Sequence, residues 1–381
     1  MQTVLVTGGA GFIGSHLAPL LAARGIRVRV LDMLASQIHG MLPGHTLDWL
    51  ANTPGVEFVR GSVASEADLT ASLDGITAVV HLAAETGTGQ SMYEIDRYCR
   101  ENVQGTALLM HLLANGAAPS VRRVVLASSR SVYGEGAYTY DGAVDSTRIT
   151  PSSRTAEALR AGQWEPVCPK TGAALKVVPT REDDRTAPAS IYAATKLMQE
   201  DLVRITCESA GIGHTIFRLQ NVYGEGQSLN NPYTGILSIF STRIRRGVEL
   251  PIFEDGLESR DFVHVSDVAA AFVAAVEAET PANCVINVGS GVATPVIEIA
   301  RALCKAFDAP ENVRVTGQFR LGDIRHNVAD ISRLSERLGH VPGVSLSEGL
   351  RRFAIWVSNQ PLPEDQLGRA NEELARRKMM G

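Results

Sequence analysis

The sequence predicts an α/β fold in which a doubly wound parallel sheet is combined with a smaller C-terminal α/β domain. Two observations carry this prediction: short β-branched runs alternate with longer helix-compatible segments, and a glycine-rich turn joins the first strand to the first helix. Alternation of this kind places parallel strands side by side, because each helix returns the chain to the same end of the sheet. The predicted strands of the first half are Thr3–Thr7, Arg27–Asp32, Val56–Arg60, Ala78–His81 and Arg123–Ala127.

The predicted helices follow from apolar residues at helical spacing. In the first half they cover Gly11–Arg24 and Ile95–Ala114. In the second half we expect helices over Ser190–Gly211, Val265–Glu277 and Thr294–Phe307, with a strand over His214–Leu219. These segments bury one apolar face against the sheet.

The domain organisation is read from changes in composition. Residues 1–219 form the first domain, and residues 220–360 form a second domain that interleaves with it. Residues 134–189 are rich in Gly, Pro, Ser and Thr, which predicts a long, partly ordered insertion near the active site. Residues 361–381 are charged and helix-prone, which predicts a peripheral C-terminal helix.

The composition of the 381 residues excludes several classes of protein. With 36 Lys plus Arg against 41 Asp plus Glu, the net charge of −5 does not favour nucleic acid or an anionic membrane as a partner. Five cysteines, an odd number without a Cys-x-x-Cys pair, argue against a disulfide framework and against a structural zinc site. No apolar run approaches the ~18 residues of a membrane span, so we expect a cytoplasmic protein.

The first chemical signal is the glycine loop Gly8-Gly9-Ala10-Gly11-Phe12-Ile13-Gly14. It follows an apolar strand directly and opens a helix, so the backbone can approach a pyrophosphate at the helix N-terminus. The next strand ends at Asp32, about 18 residues beyond Gly14, where the acid that binds the adenosine ribose is expected. A carboxylate there repels a 2′-phosphate and favours NAD over NADP. Gly61-Ser62-Val63 lacks an acid to accept from the adenine amino group, so we expect the adenine to be held differently.

The second signal combines a serine, a tyrosine and a lysine. Ser129 follows a strand and therefore lies at the carboxyl edge of the sheet, where ligands bind in open α/β folds. Tyr192 and Lys196 are four residues apart, which places both on one face of a helix. The ammonium group is then expected to depress the pKa of the phenol, as a general base requires.

At this point the sequence resembles the extended short-chain dehydrogenase/reductase family, in particular its nucleotide-sugar epimerases and dehydratases. The resemblance runs from Thr3 to about Val357 and implies a Rossmann-type NAD-binding fold. Besides the glycine loop and Tyr192–Lys196, the motifs are His81-Leu-Ala-Ala84, Asn102-Val-Gln-Gly-Thr106, Arg218-Leu-Gln-Asn-Val-Tyr-Gly224 and Arg260-Asp-Phe-Val-His-Val-Ser-Asp267.

The resemblance assigns a role to each matching residue. Tyr192 would be the base, Ser129 would bond the reacting sugar oxygen, and Lys196 would bind the nicotinamide ribose and tune Tyr192. The implied cofactor-binding residues are Gly8, Gly11, Phe12, Ile13, Gly14, Asp32, Leu82, Ala83, Ala84, Asn102, Tyr192 and Lys196. The implied substrate-binding residues are Glu85, Thr86, Ser129, Arg130, Asn221, Phe253, Arg260 and Arg325.

Two of the substrate-binding residues are expected to hold the diphosphate. Arg260 and Arg325 would form two guanidinium clamps, since each can bond phosphate oxygens bidentately. Asn221 would face the same diphosphate, and Phe253 would lie near the base of the sugar nucleotide. His81 ends a strand and is interpreted as structural.

The shared opening step in this family is oxidation at sugar C4 to a 4-keto intermediate. A 4,6-dehydratase needs an Asp-Glu pair after its catalytic hydroxyl residue, and this chain has Arg130-Ser131 there. The simplest remaining outcome is 4-epimerisation, in which hydride returns to the opposite face of C4. A 4-ketoreductase stays open, as does a uronic-acid 4-epimerase or decarboxylase in which Arg130, Arg154, Arg181 or Arg185 binds a C6 carboxylate.

Further segments resemble one branch of the epimerases, the enzymes that interconvert dTDP-L-rhamnose and dTDP-6-deoxy-L-talose. These segments are Glu85–Asp96, Gly226–Gly235 and Phe319–Asp330. The insertion resembles theirs in position, and we expect it to cover the sugar and exclude water. Its Glu165–Gly172 stretch resembles a Cys-Pro-x-Cys-Gly knuckle with Thr171 in place of the second cysteine, so no metal is expected. By analogy with the family, Ile95–Ala114 and Ser190–Gly211 would form a homodimer interface.

Overall fold

The computed structural model describes residues 2–39, 44–140, 147–229, 235–362, 364–365, 367–377 and 380–381, and it confirms the α/β fold. The strands are β1 Thr3–Thr7, β2 Arg27–Asp32, β3 Val56–Arg60, β4 Ala78–His81, β5 Arg123–Ser129, β6 Tyr138–Thr139, β7 Lys176–Val177, β8 Gly213–Leu219, β9 Asn221–Tyr223, β10 Leu250–Ile252, β11 Ser259–His264, β12 Cys284–Val288, β13 Ala293–Pro295 and β14 Val313–Val315.

The central sheet has seven strands in the order β12-β8-β5-β4-β1-β2-β3, and every pair in it is parallel. The register pairs Thr7 with His81 and Ser129 with Leu219. The chain order changes direction between β1 and β4, and ligands bind outside the carboxyl ends at such a switch point. The five strands predicted in the first half are all present, with β5 two residues longer than expected because it continues to Ser129.

The α-helices are α1 Phe12–Ala23, α2 Ser36–His39, α3 Gly44–Asn52, α4 Glu66–Leu73, α5 Thr88–Ser91, α6 Ile95–Tyr98, α7 Gly105–Ala114, α8 Ala156–Arg160, α9 Ile191–Ala210, α10 Ile236–Arg245, α11 Val265–Glu277, α12 Val296–Ala306, α13 Ser332–Leu338, α14 Leu346–Ser358 and α15 Leu367–Arg376. The long helix α9 begins where the Ser190 side chain accepts a hydrogen bond from the Ala193 amide. It ends at Gly211, whose φ of 66° suits a left-handed C-cap.

Apolar side chains cover both faces of the central sheet. One core packs α1 and α11 against it, with Leu17, Leu21 and Phe272 fully buried. The other core packs α7 and α9 against the opposite face, with Leu109 and Val203 fully buried. Helices on both faces are what the doubly wound prediction requires.

The helix predicted over Ile95–Ala114 is interrupted. A π-helical turn spans Cys99–Gln104 between α6 and α7. Asn102 lies within it, fully buried, and exchanges hydrogen bonds with the backbone of Glu85. The π-helical turn thus carries the buried side chain of Asn102, and the spacing of apolar residues in the sequence does not predict such a turn.

The second domain is small and mixes helices with short strands. Its sheets are β13-β11-β9 and β10-β14, and its core packs Phe240, Leu303 and Phe353 from α10, α12 and α14. The chain then returns to the central sheet, because β12 lies between β11 and β13 in sequence yet pairs with β8.

The C-terminal segment forms the helix α15, and residues that flank this helix contact other parts of the molecule. Asp365 pairs with Arg243, and the Arg377 guanidinium lies 4.1 Å from the centre of the Tyr93 ring. Phe319 and Gly381 exchange two backbone hydrogen bonds of 2.8 and 3.0 Å. These contacts come from a few residues, so a charged, helix-prone pattern hides them. Residues 363, 366, 378 and 379 of this predicted helix lie outside the described residues.

The described helices include none with the length and apolar character needed to cross a bilayer. The five cysteines are all unpaired.

Candidate active site

A cavity of about 1180 Å³ opens at the carboxyl edge of the central sheet. The loops after β1, β2, β4 and β5 line one side of it, and β9, β11 and α10 of the second domain line the other. Both predicted chemical signals therefore face the same space. The segment Gly226–Gly235 lines part of it, and its residues 230–234 lie outside the described residues.

The glycine loop approaches its neighbours too closely for side chains. Gly8 has a φ of 66°, and a Cβ placed there would lie 2.7 Å from the Ala83 backbone. A Cβ on Gly14 would lie 2.3 Å from the Gly9 carbonyl oxygen. The loop therefore exposes backbone to the cavity at the start of α1, where amide groups attract phosphate. Phe12 and Ile13 line the cavity as well, and Leu82–Ala84 lie across from them.

Asp32 ends β2 on the cavity wall with its side chain in a fixed position. Its carboxylate accepts hydrogen bonds from the Ala10 amide at 3.1 Å and the Leu34 amide at 2.8 Å. Each carboxylate oxygen has a further lone pair for a donor in the cavity. The carboxylate is thus placed to accept from ribose hydroxyls and to repel a phosphate.

The end of the cavity where the sequence predicts adenine is lined by Gly61, Ser62 and Val63. The Asp68 carboxylate near it accepts a hydrogen bond from the Ser62 amide at 2.9 Å. Trp49, from α3, lines the same region. Sequence reasoning missed Trp49, because its position depends on how α3 packs and no motif marks it.

Ser129, Tyr192 and Lys196 all line the cavity. The Ser129 hydroxyl lies close enough to the Tyr192 phenol to influence its pKa. Ser129 Oγ also accepts from the Ser131 amide at 3.2 Å and lies 2.9 Å from Ser131 Oγ. Lys196 Nζ donates to the Ala127 carbonyl at 2.9 Å, which ties the helix α9 to the end of β5.

The electrostatics of these groups differ from the sequence expectation. Burial raises the pKa of the Tyr192 phenol above its ordinary value, while the nearby Ser129 hydroxyl and the charge of Arg130 act in the opposite direction. Burial lowers the pKa of Lys196 to about 7. The net shift of the Tyr192 pKa is therefore upward, opposite to the depression by Lys196 that the sequence predicts, because desolvation of the phenol is the largest effect.

His81 and Asn102 lie next to the site and form hydrogen bonds with residues around it. His81 lies between Thr7 and Thr106 at 2.7 and 2.9 Å, and burial lowers its pKa to about 3, so the imidazole is neutral and structural. Asn102 was predicted to contact the cofactor, but it does not line the cavity. It holds the backbone of Glu85, so that Glu85 and Thr86 line the wall.

Among the residues that the structure describes, the arginines that line the cavity are Arg130, Arg260 and Arg320. Arg260 is held by the carbonyl oxygens of Ile324 and Arg325 at 2.8 and 3.0 Å. Arg130 Nε donates to Asn221 Oδ1 at 3.3 Å. Burial and the nearby charge of Arg260 lower the pKa of Arg130 to about 9. This part of the cavity therefore attracts an anion.

The structure corrects the prediction for Arg325. Its side chain is 1% exposed and does not line the cavity. Asp255 binds it at 2.7 and 2.9 Å, and Glu165 and Glu254 bind it at 2.7 and 3.1 Å. A guanidinium held by three carboxylates is not available to a diphosphate.

Arg320 takes the position expected for Arg325. Its guanidinium lies 4.5 Å from the centre of the Phe253 ring and 3.3 Å from Asp323. It lies in the same Phe319–Asp330 segment as Arg325, five residues before it. The sequence carried a signal for Arg320, but side-chain direction in a loop could not be read from spacing.

Residues of the insertion contact segments next to the cavity without lining it. Arg154 donates to Glu254 at 2.7 Å and to the Asp323 carbonyl at 2.9 Å, and Arg181 pairs with Asp330 at 3.4 Å. None of the described insertion residues lines the cavity, which differs from the expectation that this segment covers the sugar. Residues 141–146 lie outside the described residues.

The knuckle-like stretch of the insertion contains a buried Cys168 packed with Tyr138 and Leu175. Within the described ranges, His, Cys, Asp and Glu side chains form no group of three or more suited to a metal ion.

Comparison with known proteins assigns the family. The model of the NAD-dependent epimerase/dehydratase family matches residues 4–165 and 169–289. The chain belongs to this family. Members depend on NAD, and the glycine loop, Asp32 and the Tyr192–Lys196 pair are the parts of this chain that fit that cofactor.

Named relatives of this family member extend over nearly its whole length. The dTDP-L-rhamnose 4-epimerase of Burkholderia thailandensis is 39% identical over 94% of this chain and 96% of that protein. The UDP-glucose 4-epimerase of Mycolicibacterium smegmatis is 32% identical over 93% of this chain and 98% of that protein. Among solved structures, UDP-glucuronic acid 4-epimerase from Bacillus cereus, with UDP-glucuronic acid and NAD, has a TM-score of 0.75 at 26% identity and covers 94% of this chain and 99% of that one.

Proposed function

We propose that this protein is an NAD-dependent nucleotide-sugar 4-epimerase that interconverts dTDP-L-rhamnose and dTDP-6-deoxy-L-talose. The observation that carries the proposal is one cavity lined by Tyr192 and Ser129, by the glycine loop and by a group of arginines. The dTDP-L-rhamnose 4-epimerase relative supports the choice of sugar.

The cavity accommodates NAD in a defined orientation. The Gly8–Gly14 loop would hold the pyrophosphate, Asp32 the adenosine ribose, and Lys196 the nicotinamide ribose. Bound NAD⁺ supplies the hydride acceptor that oxidation of a sugar carbon requires. The wall formed by Gly61–Val63 and Trp49 would hold the adenine.

The chain's own residues then account for proton transfer at the sugar. Tyr192 takes the proton from the C4 hydroxyl and later returns it, and Ser129 keeps that oxygen within hydrogen-bond reach. The bond to the Ala127 carbonyl holds the Lys196 ammonium on the cavity wall. Because burial raises the pKa of the Tyr192 phenol, a positive charge brought close to it by the cofactor would favour the tyrosinate.

The diphosphate would be held by Arg260, Arg320 and Asn221. Fixing this part of the substrate leaves the sugar free to turn, so that either face of C4 can be presented in turn. Epimerisation needs such a tether because a released keto sugar would end the cycle.

One observation favours a second candidate, a uronic-acid 4-epimerase. The half-buried Arg130 lies close enough to Tyr192 to affect its pKa, and a C6 carboxylate could pair with its guanidinium. Arg154 and Arg181 cannot serve in this way, because both are paired with carboxylates outside the cavity.

The test is incubation of the purified protein, without added cofactor, with dTDP-L-rhamnose, UDP-glucose and UDP-glucuronic acid, followed by proton NMR. We expect a C4 epimer of dTDP-L-rhamnose at constant mass. Conversion of UDP-glucuronic acid alone would select the second candidate. Loss of 44 mass units from that sugar would identify a decarboxylase, and reaction only of a keto sugar with added NADH or NADPH would identify a ketoreductase; either result contradicts the proposal.

We also propose that the enzyme is a homodimer whose interface includes α9. Met198 and Ile205 of this helix are 50% and 56% exposed, and Ile95 on the neighbouring α6 is 48% exposed. Apolar side chains exposed on adjacent helices are suited to packing against a second copy. Light scattering should give a dimer for the wild type and a monomer for Ile205→Lys. As a control, Val341→Lys changes a 64% exposed valine before α14 and should leave the dimer intact. A monomeric wild type would contradict the proposal.

A further inference from the structure

One buried arginine of the insertion, Arg154, joins three segments that are distant in sequence. Its side chain is 4% exposed and does not line the cavity. Its Nη1 atom donates to Glu254 Oε2 at 2.7 Å and to the Trp164 carbonyl at 3.2 Å, and its Nη2 atom donates to the Asp323 carbonyl at 2.9 Å. The guanidinium therefore links the insertion to the turn after β10 and to the loop that contains Arg320.

Stability alone does not account for the Arg154–Glu254 pair. Both side chains are 4% exposed, and taking two charges out of water costs free energy that their attraction repays only in part. An apolar pair of similar size often stabilises a fold equally well. The role of this pair is therefore to be sought in the geometry that it fixes.

Each of the two segments that Arg154 joins has a side chain on the cavity wall. Phe253 directly precedes Glu254, and Arg320 lies 3.3 Å from the Asp323 carboxylate. The Arg320 guanidinium lies 4.5 Å from the centre of the Phe253 ring, so the two segments meet at the cavity. Holding Glu254 and Asp323 together thus holds Arg320 against Phe253.

The turn that contains Glu254 needs such an anchor. Glu254 has a φ of 49°, in the left-handed region that residues with a side chain rarely adopt. A conformation of this kind persists only where the surrounding contacts enforce it. The Glu254 amide donates to the Gln318 carbonyl at 2.7 Å, and its carboxylate accepts from Arg154 and Arg325 at 2.7 and 3.1 Å. Of these partners, Arg154 also bonds the Asp323 carbonyl, so it ties the strained turn to the neighbouring loop.

We propose that Arg154 is a positioning residue, which holds the Arg320 guanidinium against Phe253 so that Arg320 can bind the diphosphate of the substrate. The inference rests on the proposed function in taking a nucleoside diphosphate as the bound group. It gives the insertion a role in substrate affinity, although the described insertion residues do not line the cavity.

A double-mutant cycle on dTDP binding tests this role. Calorimetric titration of the NAD-loaded enzyme gives the dTDP affinity of the wild type, Arg154→Ala, Arg320→Ala and the double variant. We expect Arg154→Ala to weaken dTDP binding roughly tenfold in the wild type but less than twofold in the Arg320→Ala background, because it acts through Arg320. A general loss of packing would have the same effect in both backgrounds.

Arg154→Lys keeps the test decisive if Arg154→Ala folds poorly. The lysine keeps a positive charge for Glu254, but an ammonium lacks the planar fork that reaches two partners at once. The melting temperature should therefore stay near that of the wild type, while dTDP binding weakens several-fold and this loss again depends on Arg320.

Arg148→Ala is the matched control within the insertion. Arg148 donates to the Asp184 carboxylate and to the Pro179 carbonyl at 2.6 Å, and both partners belong to the insertion itself. Because none of these three residues lines the cavity, the dTDP affinity of this variant should equal that of the wild type.

Distinct outcomes would contradict the proposal. Unchanged dTDP affinity in either variant of Arg154 would remove the role of the bridging guanidinium. An equal loss with and without Arg320 would show that Arg154 acts by another route, and an equal loss in Arg148→Ala would assign the effect to the insertion as a whole. If no sugar is epimerised but the cycle gives the expected dependence on Arg320, the proposed function fails and this inference stands.

Discussion

Replacing Tyr192 by Phe should lower turnover of the nucleotide sugar roughly 10²- to 10⁴-fold while NAD stays bound. The substitution removes the phenol that would accept the C4 proton, and it keeps the ring that packs edge-on against Tyr98 at 6.5 Å. Initial rates from NMR give the turnover, and the absorbance of the released cofactor after denaturation gives the NAD content.

Tyr98→Phe is the matched control for this prediction. It removes a buried phenol hydroxyl close to Tyr192 that bonds the Thr86 carbonyl at 2.6 Å rather than Ser129. Its turnover should fall less than tenfold, as expected for one lost hydrogen bond. If Tyr192→Phe kept more than a tenth of the wild-type rate, Tyr192 would not be the base.

Replacing Arg325 by Ala should lower the free energy of unfolding by about 3–5 kcal/mol, because removing one partner leaves buried charge uncompensated. The guanidinium is bonded to Asp255, Glu165 and Glu254, and Glu254 is itself buried. Denaturant titration followed by tryptophan fluorescence measures the change.

Arg320→Ala is the comparison that separates the two arginines. Arg320 is half-buried and faces the cavity, so its loss should weaken dTDP binding and change stability by about 1 kcal/mol or less. A stable Arg325→Ala variant with weakened dTDP binding would instead favour the diphosphate clamp that the sequence suggested for Arg325.

The parts of the fold and site that the sequence predicted depend on local patterns. Strand–helix alternation gave the first five strands, since each buried parallel strand is a short apolar run between turns. The sequence predicted that one site would contain Ser129, Tyr192 and Lys196, and all three line the cavity. This prediction needed only local geometry, because a strand end positions Ser129 and the helical i, i+4 spacing places the other two on one face.

The differences arise where long-range packing decides. Arg320 and Arg325 stand in one loop, and which of them reaches the cavity depends on the carboxylates of residues 165, 254 and 255, distant in sequence from the loop. Asn102 is buried within a π-helical turn, which an apolar period cannot show. The C-terminal contacts with Tyr93 and Phe319 likewise join segments that no spacing rule connects.

The position of β12 has a consequence for how the chain is completed during synthesis. This edge strand of the central sheet is residues Cys284–Val288, and it follows β9, β10 and β11 of the other domain. Its Asn287 side chain accepts from the Tyr133 hydroxyl at 2.8 Å and donates to the Thr180 carbonyl at 2.9 Å. The insertion therefore cannot form this hydrogen bond until Asn287, more than a hundred residues after Thr180, has been synthesised. The central sheet of the amino-terminal domain lacks its edge strand β12 until most of the second domain has been synthesised. We therefore expect the two domains to complete their folding together, late in translation.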